Sequence, residues 1–223
     1  MSEATKMTIE IWSDVMCPFC YLGKRRFTDA LARYAKRHEI EVIWRSFQLN
    51  PSLQTDPSIT VNQYLAREKG IDVQRAKQMN DHLTLVGQRE GLTYDFDRVV
   101  VANTFDAHRL THLAREQAKE DAAVDRLFAA YFTEGKNVDD RAVLVSLGGD
   151  IGLDEQSVSA MLASDRYADE VRADIREAQL LGIDGVPFFV FDRKYAVSGA
   201  QDTSVFLRTL ERSHEEWRGI PIS

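Results

Sequence analysis

Hydrophobic and polar positions alternate along Thr8-Ile9-Glu10-Ile11-Trp12, and again through Ile40, Val42, Trp44 and Phe47. A period of two marks a strand with one buried face, so two strands are predicted here. Between them the period lengthens. Phe27, Ala30, Leu31 and Tyr34 recur at helical spacing within residues 23–37, with charged residues elsewhere, which predicts an amphipathic helix. The first fifty residues therefore read β-α-β. Asn50-Pro51-Ser52 and Asp56-Pro57-Ser58 break that pattern.

From about Thr60 to Leu181 the apolar spacing is helical. Predicted helices cover 61–69, 73–90, 99–119, 122–133, 139–151, 154–163 and 164–181, and Gly70, Gly91, Gly135, Gly152 and Gly182 fall where they would stop, as C-terminal glycines do. The β pattern then returns. Val186-Pro187-Phe188-Phe189-Val190-Phe191 reads as a strongly apolar strand, Tyr195-Ala196-Val197-Ser198 as its partner, and Asp192-Arg193-Lys194 as the turn between them. A helix from Asp202 to Trp217, apolar at Val205, Phe206, Leu210 and Trp217, closes the chain. Neither outer piece buries a sheet alone, so the two are expected to pair into one sheet. That gives a discontinuous α/β domain of residues 1–55 and 183–223 and an inserted helical domain of residues 56–182.

A hydrophobic content of 44% and a charged content of 28% suit an ordinary globular protein. The net charge of −7 argues against a nucleic-acid partner, because phosphate binding needs clustered Lys and Arg. Arg33, Lys36 and Arg37 do cluster, but at the spacing of one solvated helix face. Nothing approaches the ~20 apolar residues of a membrane helix, so no membrane partner is expected. The apolar run Met7 to Trp12 is too short and mixed for a signal-peptide core, which predicts a cytoplasmic location.

The chain has two cysteines, and both stand in Cys17-Pro18-Phe19-Cys20. The pair follows the first strand and precedes Tyr21-Leu22-Gly23-Lys24-Arg25-Arg26-Phe27, which opens a helix. Aligned backbone dipoles at a helix N-terminus favour an anion, so a cysteine there is stabilised as a thiolate. Two intervening residues bring the second sulfur round to the first, and Pro18 suits the first turn, where its missing N–H is not needed. In a reducing cytosol such a disulfide is transient and catalytic. Phe19, on the turn, is expected to form contact surface and Trp12 to be core. Asp14 either tunes the thiolate or caps the following turn. His108 and His112 lie four apart on a predicted helix, but no third ligand is apparent and no metal is expected. A cluster shared between subunits would want four sulfurs.

Strand–CxxC–helix followed late in the chain by Gly185-Val186-Pro187 and an apolar hairpin resembles the thioredoxin superfamily. The helical insertion resembles its DsbA-like branch. Ser13-Asp14-Val15-Met16-Cys17-Pro18-Phe19-Cys20-Tyr21-Leu22-Gly23, Phe47-Gln48-Leu49-Asn50-Pro51, Asn103-Thr104-Phe105-Asp106-Ala107-His108-Arg109 and Gly185-Val186-Pro187-Phe188-Phe189 are together similar to the FrnE-type group. The resemblance implies a thioredoxin-like α/β fold with a large helical insertion, and thiol–disulfide oxidoreductase or disulfide isomerase activity. It implies Cys17 as nucleophile, Cys20 as resolving thiol, and a cis bond before Pro187 opposite the CxxC. The Val186 backbone would then pair with an extended substrate. Asn50, Asn103 and His108 would line the cleft; for the last two, a helix cap and a packed histidine are the alternatives.

Polypeptide or small-molecule thiols and disulfides are the implied substrates, with no bound cofactor beyond the Cys17–Cys20 pair. The chain also resembles 2-hydroxychromene-2-carboxylate isomerases and kappa-class glutathione transferases. This gives the alternative of a glutathione-dependent isomerase or transferase, with glutathione as co-substrate near Asp202 and Thr203. In that group the position of Cys17 is typically serine, so the complete CxxC counts against that chemistry.

Overall fold

The structure is a computed structural model that describes residues 6–219. It divides into two compact units, one made of the chain up to Phe47 together with the chain from Asp174 onward, the other of Gln48–Ala173.

The first unit is built on a four-stranded sheet of order β2-β1-β5-β6. Its strands are β1 (Met7–Ser13), β2 (Ile40–Ser46), β5 (Phe188–Phe191) and β6 (Tyr195–Ser198). β1 pairs parallel with β2 across helix α1 (Pro18–Arg33) and antiparallel with β5, which pairs antiparallel with β6. The amino-terminal and carboxy-terminal pieces thus share one sheet, since β1 hydrogen-bonds to both β2 and β5. Ile9 and Ile11 of β1 and Phe189 and Phe191 of β5 are fully buried. On that face Phe27 of α1 meets Phe189 at 5.4 Å and Phe206 at 5.8 Å between ring centroids. Phe206 belongs to α9 (Thr203–Trp217), whose first turn Asp202 caps by accepting the Ser204 N–H at 2.9 Å.

Alternation along β1 sends Glu10 and Trp12 to the other face. Trp12 packs there with Ala178 and Ile183, and its indole N–H donates to the Asp174 carbonyl at 3.1 Å. Glu10 is buried as well, at 3% exposure. It accepts Arg45 Nε at 2.9 Å and Nη2 at 2.6 Å, and it also pairs with Arg193. The β5–β6 turn is made by Asp192-Arg193-Lys194, the residues expected from the sequence. Asp192 and Arg193 hold φ of 49° and 55°, a type I′ geometry that matches the twist of the strands but is unfavourable for non-glycine residues. The Arg193–Glu10 and Arg193–Glu177 pairs offset that cost.

The second unit holds α2 (Val61–Lys69), α3 (Val73–Arg89), α4 (Phe105–Arg115), α5 (Glu120–Phe128), α6 (Arg141–Asp150), α7 (Glu155–Leu162) and the first half of α8 (Ala168–Leu180). It also carries two short strands that the periodicity did not predict. These are β3 (Asp56–Thr60) and β4 (Val100–Val101), paired antiparallel. β4 removes the first residues of the predicted 99–119 helix. The predicted 164–181 helix begins later too, because Tyr167 has φ of 64° and cannot lie in a right-handed helix. Five residues predicted as the end of one helix, Ala129–Thr133, form a π-helical turn continuing α5. Among the described residues no helix is long and apolar enough to cross a membrane.

Candidate active site

β1 ends at Ser13, and four residues later Cys17 caps α1 with extended backbone, φ −90° and ψ 109°. Pro18 occupies the first helical turn. The turn between strand and helix is closed by the Cys17 N–H donating to the Asp14 carbonyl at 3.0 Å. The carbonyl of Cys17 accepts from the Cys20 N–H at 3.0 Å and the Tyr21 N–H at 3.4 Å. Cys17 is therefore the residue at which the helix begins, as the strand–CxxC–helix reading requires. Asp14 is wholly buried, and its Oδ1 accepts the Met16 N–H at 3.4 Å. It caps the turn ahead of α1 and leaves the helix cap itself to Cys17.

The two thiols differ in environment. Both are free and buried, Cys17 at 3% exposure and Cys20 at 0%. Burial pushes the Cys20 thiol well above its ordinary range, and a hydrogen bond with Cys17 and the charge of Cys17 push in the same direction. Hydrogen bonds from the Asp14 backbone N–H and the Ser13 side chain offset part of that shift. Phe19, between the cysteines, is 51% exposed and presents an aromatic face to solvent beside buried sulfur.

The Val186–Pro187 peptide bond is cis. The Cys17 thiol donates to the Val186 carbonyl at 3.5 Å, so the loop ahead of β5 stands against the cysteine that begins α1. Both residues lie outside the strand, although the apolar run predicted a strand from Val186. Proline has no N–H for a ladder, and the Pro187 carbonyl instead accepts the Gly199 N–H at 2.8 Å, beyond the end of β6. Gly23 of α1 packs directly on the Pro187 ring. Sequence reasoning quoted Gly23 without giving it a role; a glycine inside an otherwise good helix was the signal.

Of the remaining expected site residues, Asn50, Asn103 and His108 belong to the second unit, and Asp202 and Thr203 to the first. In the second unit, Asn103 is consumed in holding local backbone. Its Oδ1 accepts the Phe105 N–H at 2.8 Å and Gln48 Nε2 at 3.1 Å, while its Nδ2 donates to the Leu53 carbonyl at 2.8 Å. Asn103 thus holds the first N–H of α4 from one residue ahead of the N-cap, Thr104, and ties in the 48–55 segment. Asn50 Nδ2 donates to Tyr64 Oη at 3.2 Å. His108 is buried on α4 at 5% exposure. Nearby Arg109, also buried, donates to the carbonyls of Arg166, Met161 and Ser164 and to Asp106, so it is a strut. Asp202 and Thr203 open α9. The Ser204 backbone N–H and side chain hold the Asp202 carboxyl below its ordinary range. Among the described residues, no group of three or more His, Cys, Asp or Glu is placed to hold a metal ion.

A family model for the DSBA-like thioredoxin domain matches residues 8–211. The chain belongs to this DsbA-like family. Within it, the chain is 43% identical to a probable DsbA oxidoreductase from Streptomyces coelicolor whose crystal structure superposes with a TM-score of 0.88, covering 94% of this chain and 91% of that one. The uncharacterized protein YwbO of Bacillus subtilis (strain 168) is 29% identical over 206 residues, 91% of this chain and 94% of that protein. A 2-hydroxychromene-2-carboxylate isomerase shares the fold at 15% identity, with a TM-score of 0.71 over 97% of this chain and 100% of that one. The DsbA-like assignment covers both outer pieces and the insertion. It makes the protein, in general terms, a thiol oxidoreductase or isomerase.

Proposed function

We propose that this DsbA-like protein is a protein thiol–disulfide oxidoreductase or disulfide isomerase of the cytoplasm, with Cys17 as nucleophile and Cys20 as resolving thiol. The contact of 3.5 Å between Cys17 Sγ and the carbonyl of the cis Val186–Pro187 pair supports this most strongly. It sets the thiol of the residue at the start of α1 against backbone that can align an extended polypeptide. The Cys17 thiolate attacks one sulfur of a substrate disulfide; that S–S bond breaks, and the departing thiolate takes a proton. Cys20, deprotonated, then attacks the Cys17 sulfur of the mixed disulfide and expels the second substrate thiolate. Two electrons pass to the substrate, and a Cys17–Cys20 disulfide remains. Two molecules of glutathione, oxidised to their disulfide, return it to the dithiol. In a reducing compartment this direction, or isomerisation, dominates.

Phe19 supplies apolar contact for the substrate, while Pro18 and Asp14 fix the turn that presents Cys17. The glutathione-dependent isomerase alternative gains no support from Asp202, whose carboxylate is engaged as a helix cap. The test is trapping. Cys20→Ser incubated with a disulfide-bonded peptide is expected to accumulate a covalent adduct on Cys17 that dithiothreitol releases, and Cys17→Ser is expected to form none. Equal trapping by both variants, or by neither, contradicts the assignment.

A further inference from the structure

Gly23 lies inside α1, where alanine would be the better helix former. A Cβ at this position would stand 2.8 Å from Cγ of Pro187, 3.5 Å from its Cβ, and 3.4 Å from Cζ of Phe189. Carbon atoms in contact settle at about 3.5–4.0 Å, so the first of these distances is a collision. Neither neighbour is free to step far aside. A change of ring pucker shifts Pro187 Cγ only slightly, and the Pro187 carbonyl is held by the Gly199 N–H at 2.8 Å. Phe189 is fully buried, with Phe206 at 4.6 Å and Phe27 at 5.4 Å between centroids. Beyond what the pucker can absorb, relief needs α1 and the Val186–Pro187 loop to move apart. The Val186 carbonyl, which faces Cys17 Sγ, then shifts relative to it.

We propose that Gly23 is a positioning residue for thiol–disulfide exchange: its missing side chain sets how closely α1 approaches the Val186–Pro187 loop, and so fixes the contact between the Cys17 sulfur and the backbone that aligns the substrate. This rests on the exchange reading above. Gly23 takes part in no bond change; the electrons and protons move between Cys17, Cys20 and the substrate sulfurs as already described. A displaced loop penalises substrates that need backbone alignment more than it penalises a small disulfide that reaches Cys17 without docking.

The experiment compares wild type, Gly23→Ala and Gly148→Ala. Gly148 is a control in α6, where a Cβ would meet Val158 Cγ2 at 2.7 Å, a comparable collision in the other unit. Each protein is assayed for kcat/KM on a disulfide-bonded peptide and on hydroxyethyl disulfide, for the pH profile of Cys17 alkylation, and for its unfolding temperature. Gly23→Ala is expected to lose at least about ten-fold on the peptide, as misplacements of ångström scale do. It should lose clearly less on the small disulfide, and its alkylation profile should move. Gly148→Ala is expected to lower the unfolding temperature and move neither redox readout. If Gly23→Ala lowers only the unfolding temperature, Gly23 is purely structural and the proposal is overturned.

Should Gly23→Ala fail to fold, Gly23→Ala/Pro187→Ala is compared with Pro187→Ala alone. With Cγ gone the added methyl is accommodated, and the two variants are expected to match in folding and activity; a further loss in the double variant overturns the proposal. A wild-type protein that reduces neither disulfide removes the exchange reading itself. That outcome is separate from any result on the variants.

Discussion

Replacing Glu10 by glutamine removes one charge from the centre of the sheet and changes almost no volume. The side chain of Glu10 is 4% exposed, against 22% for Arg45 and 49% for Arg193. Breaking a buried ion pair by removing one partner costs about 3–5 kcal/mol. Two features of this cluster lower that figure. Arg193 is half exposed, so its share is that of a surface pair, at most about 1 kcal/mol, and it keeps Glu177 at 2.7 Å. Arg45 keeps Asp174 at 3.0 Å, so it is never left without a counter-charge. The glutamine still offers one oxygen, but its amide hydrogens face guanidinium donors.

The expected cost is about 2–3 kcal/mol, or roughly 4–12 °C in unfolding midpoint for a chain of this size. The chain's three tryptophans, Trp12, Trp44 and Trp217, all lie in the first unit. Urea unfolding followed by tryptophan fluorescence therefore reports the unit that contains Glu10. Arg25→Ala is the control: its pair with Asp29 is 3.5 Å long, with side chains 47% and 31% exposed, and its loss should cost no more than about 0.5 kcal/mol. A Glu10→Gln variant as stable as Arg25→Ala refutes the reasoning that the buried charge holds β1 to β2 and the β5–β6 turn.

Two further outcomes follow from protonation. Burial holds His214 below its ordinary value, against the opposing pull of Glu39 and with Lys36 and Arg218 adding to the depression. The unfolded chain therefore binds the proton more readily, so the His214 contribution is present above about pH 6.5 and fades as pH falls through the lower folded value. His214→Phe, which retains ring contacts with Tyr34 and Trp217, should flatten that part of a stability–pH curve; an unchanged acid slope contradicts it.

Cys20 titrates in the opposite sense. Its folded-state value is raised, chiefly by burial, so the folded reduced protein keeps a proton that the unfolded chain releases. Stability of the reduced form should fall as pH rises above about 8.5. Cys20→Ala should remove that decline, and in wild type at neutral pH iodoacetamide should modify Cys17 well before Cys20.

Sequence reading recovered the features that are local or fixed by chain order. Cys17-Pro18-Phe19-Cys20 sits at a strand-to-helix junction because a period of two gives way to a helical spacing there. The apolar hairpin after Gly185-Val186-Pro187 was visible for the same reason. Features created by distant chain were not legible. Glu10 reads as the polar phase of an alternating strand, yet the second half of α8 covers that face and turns the position into a buried ionic centre. Val100 and Val101 read as the start of a helix, because a short apolar run beside a helical pattern fits either period; pairing with β3 decides for strand. Asn103 was expected to line a cleft or cap a helix, and no local pattern signalled that its amide bonds to Phe105, Gln48 and Leu53. Gly23 has meaning only beside Pro187, a neighbour that no local pattern reveals.

The most direct test of the redox assignment is the dithiol–disulfide equilibrium of Cys17 and Cys20. The protein is equilibrated with glutathione buffers and alkylated, and the modified thiols are counted by mass. A single two-thiol transition is expected, lost in Cys17→Ser and in Cys20→Ser, with a potential from about −270 mV, as in a reductase, to about −180 mV, as in an isomerase. A potential near about −120 mV, that of a strong oxidant, contradicts the proposed direction. Failure to form any intramolecular disulfide contradicts the exchange mechanism itself.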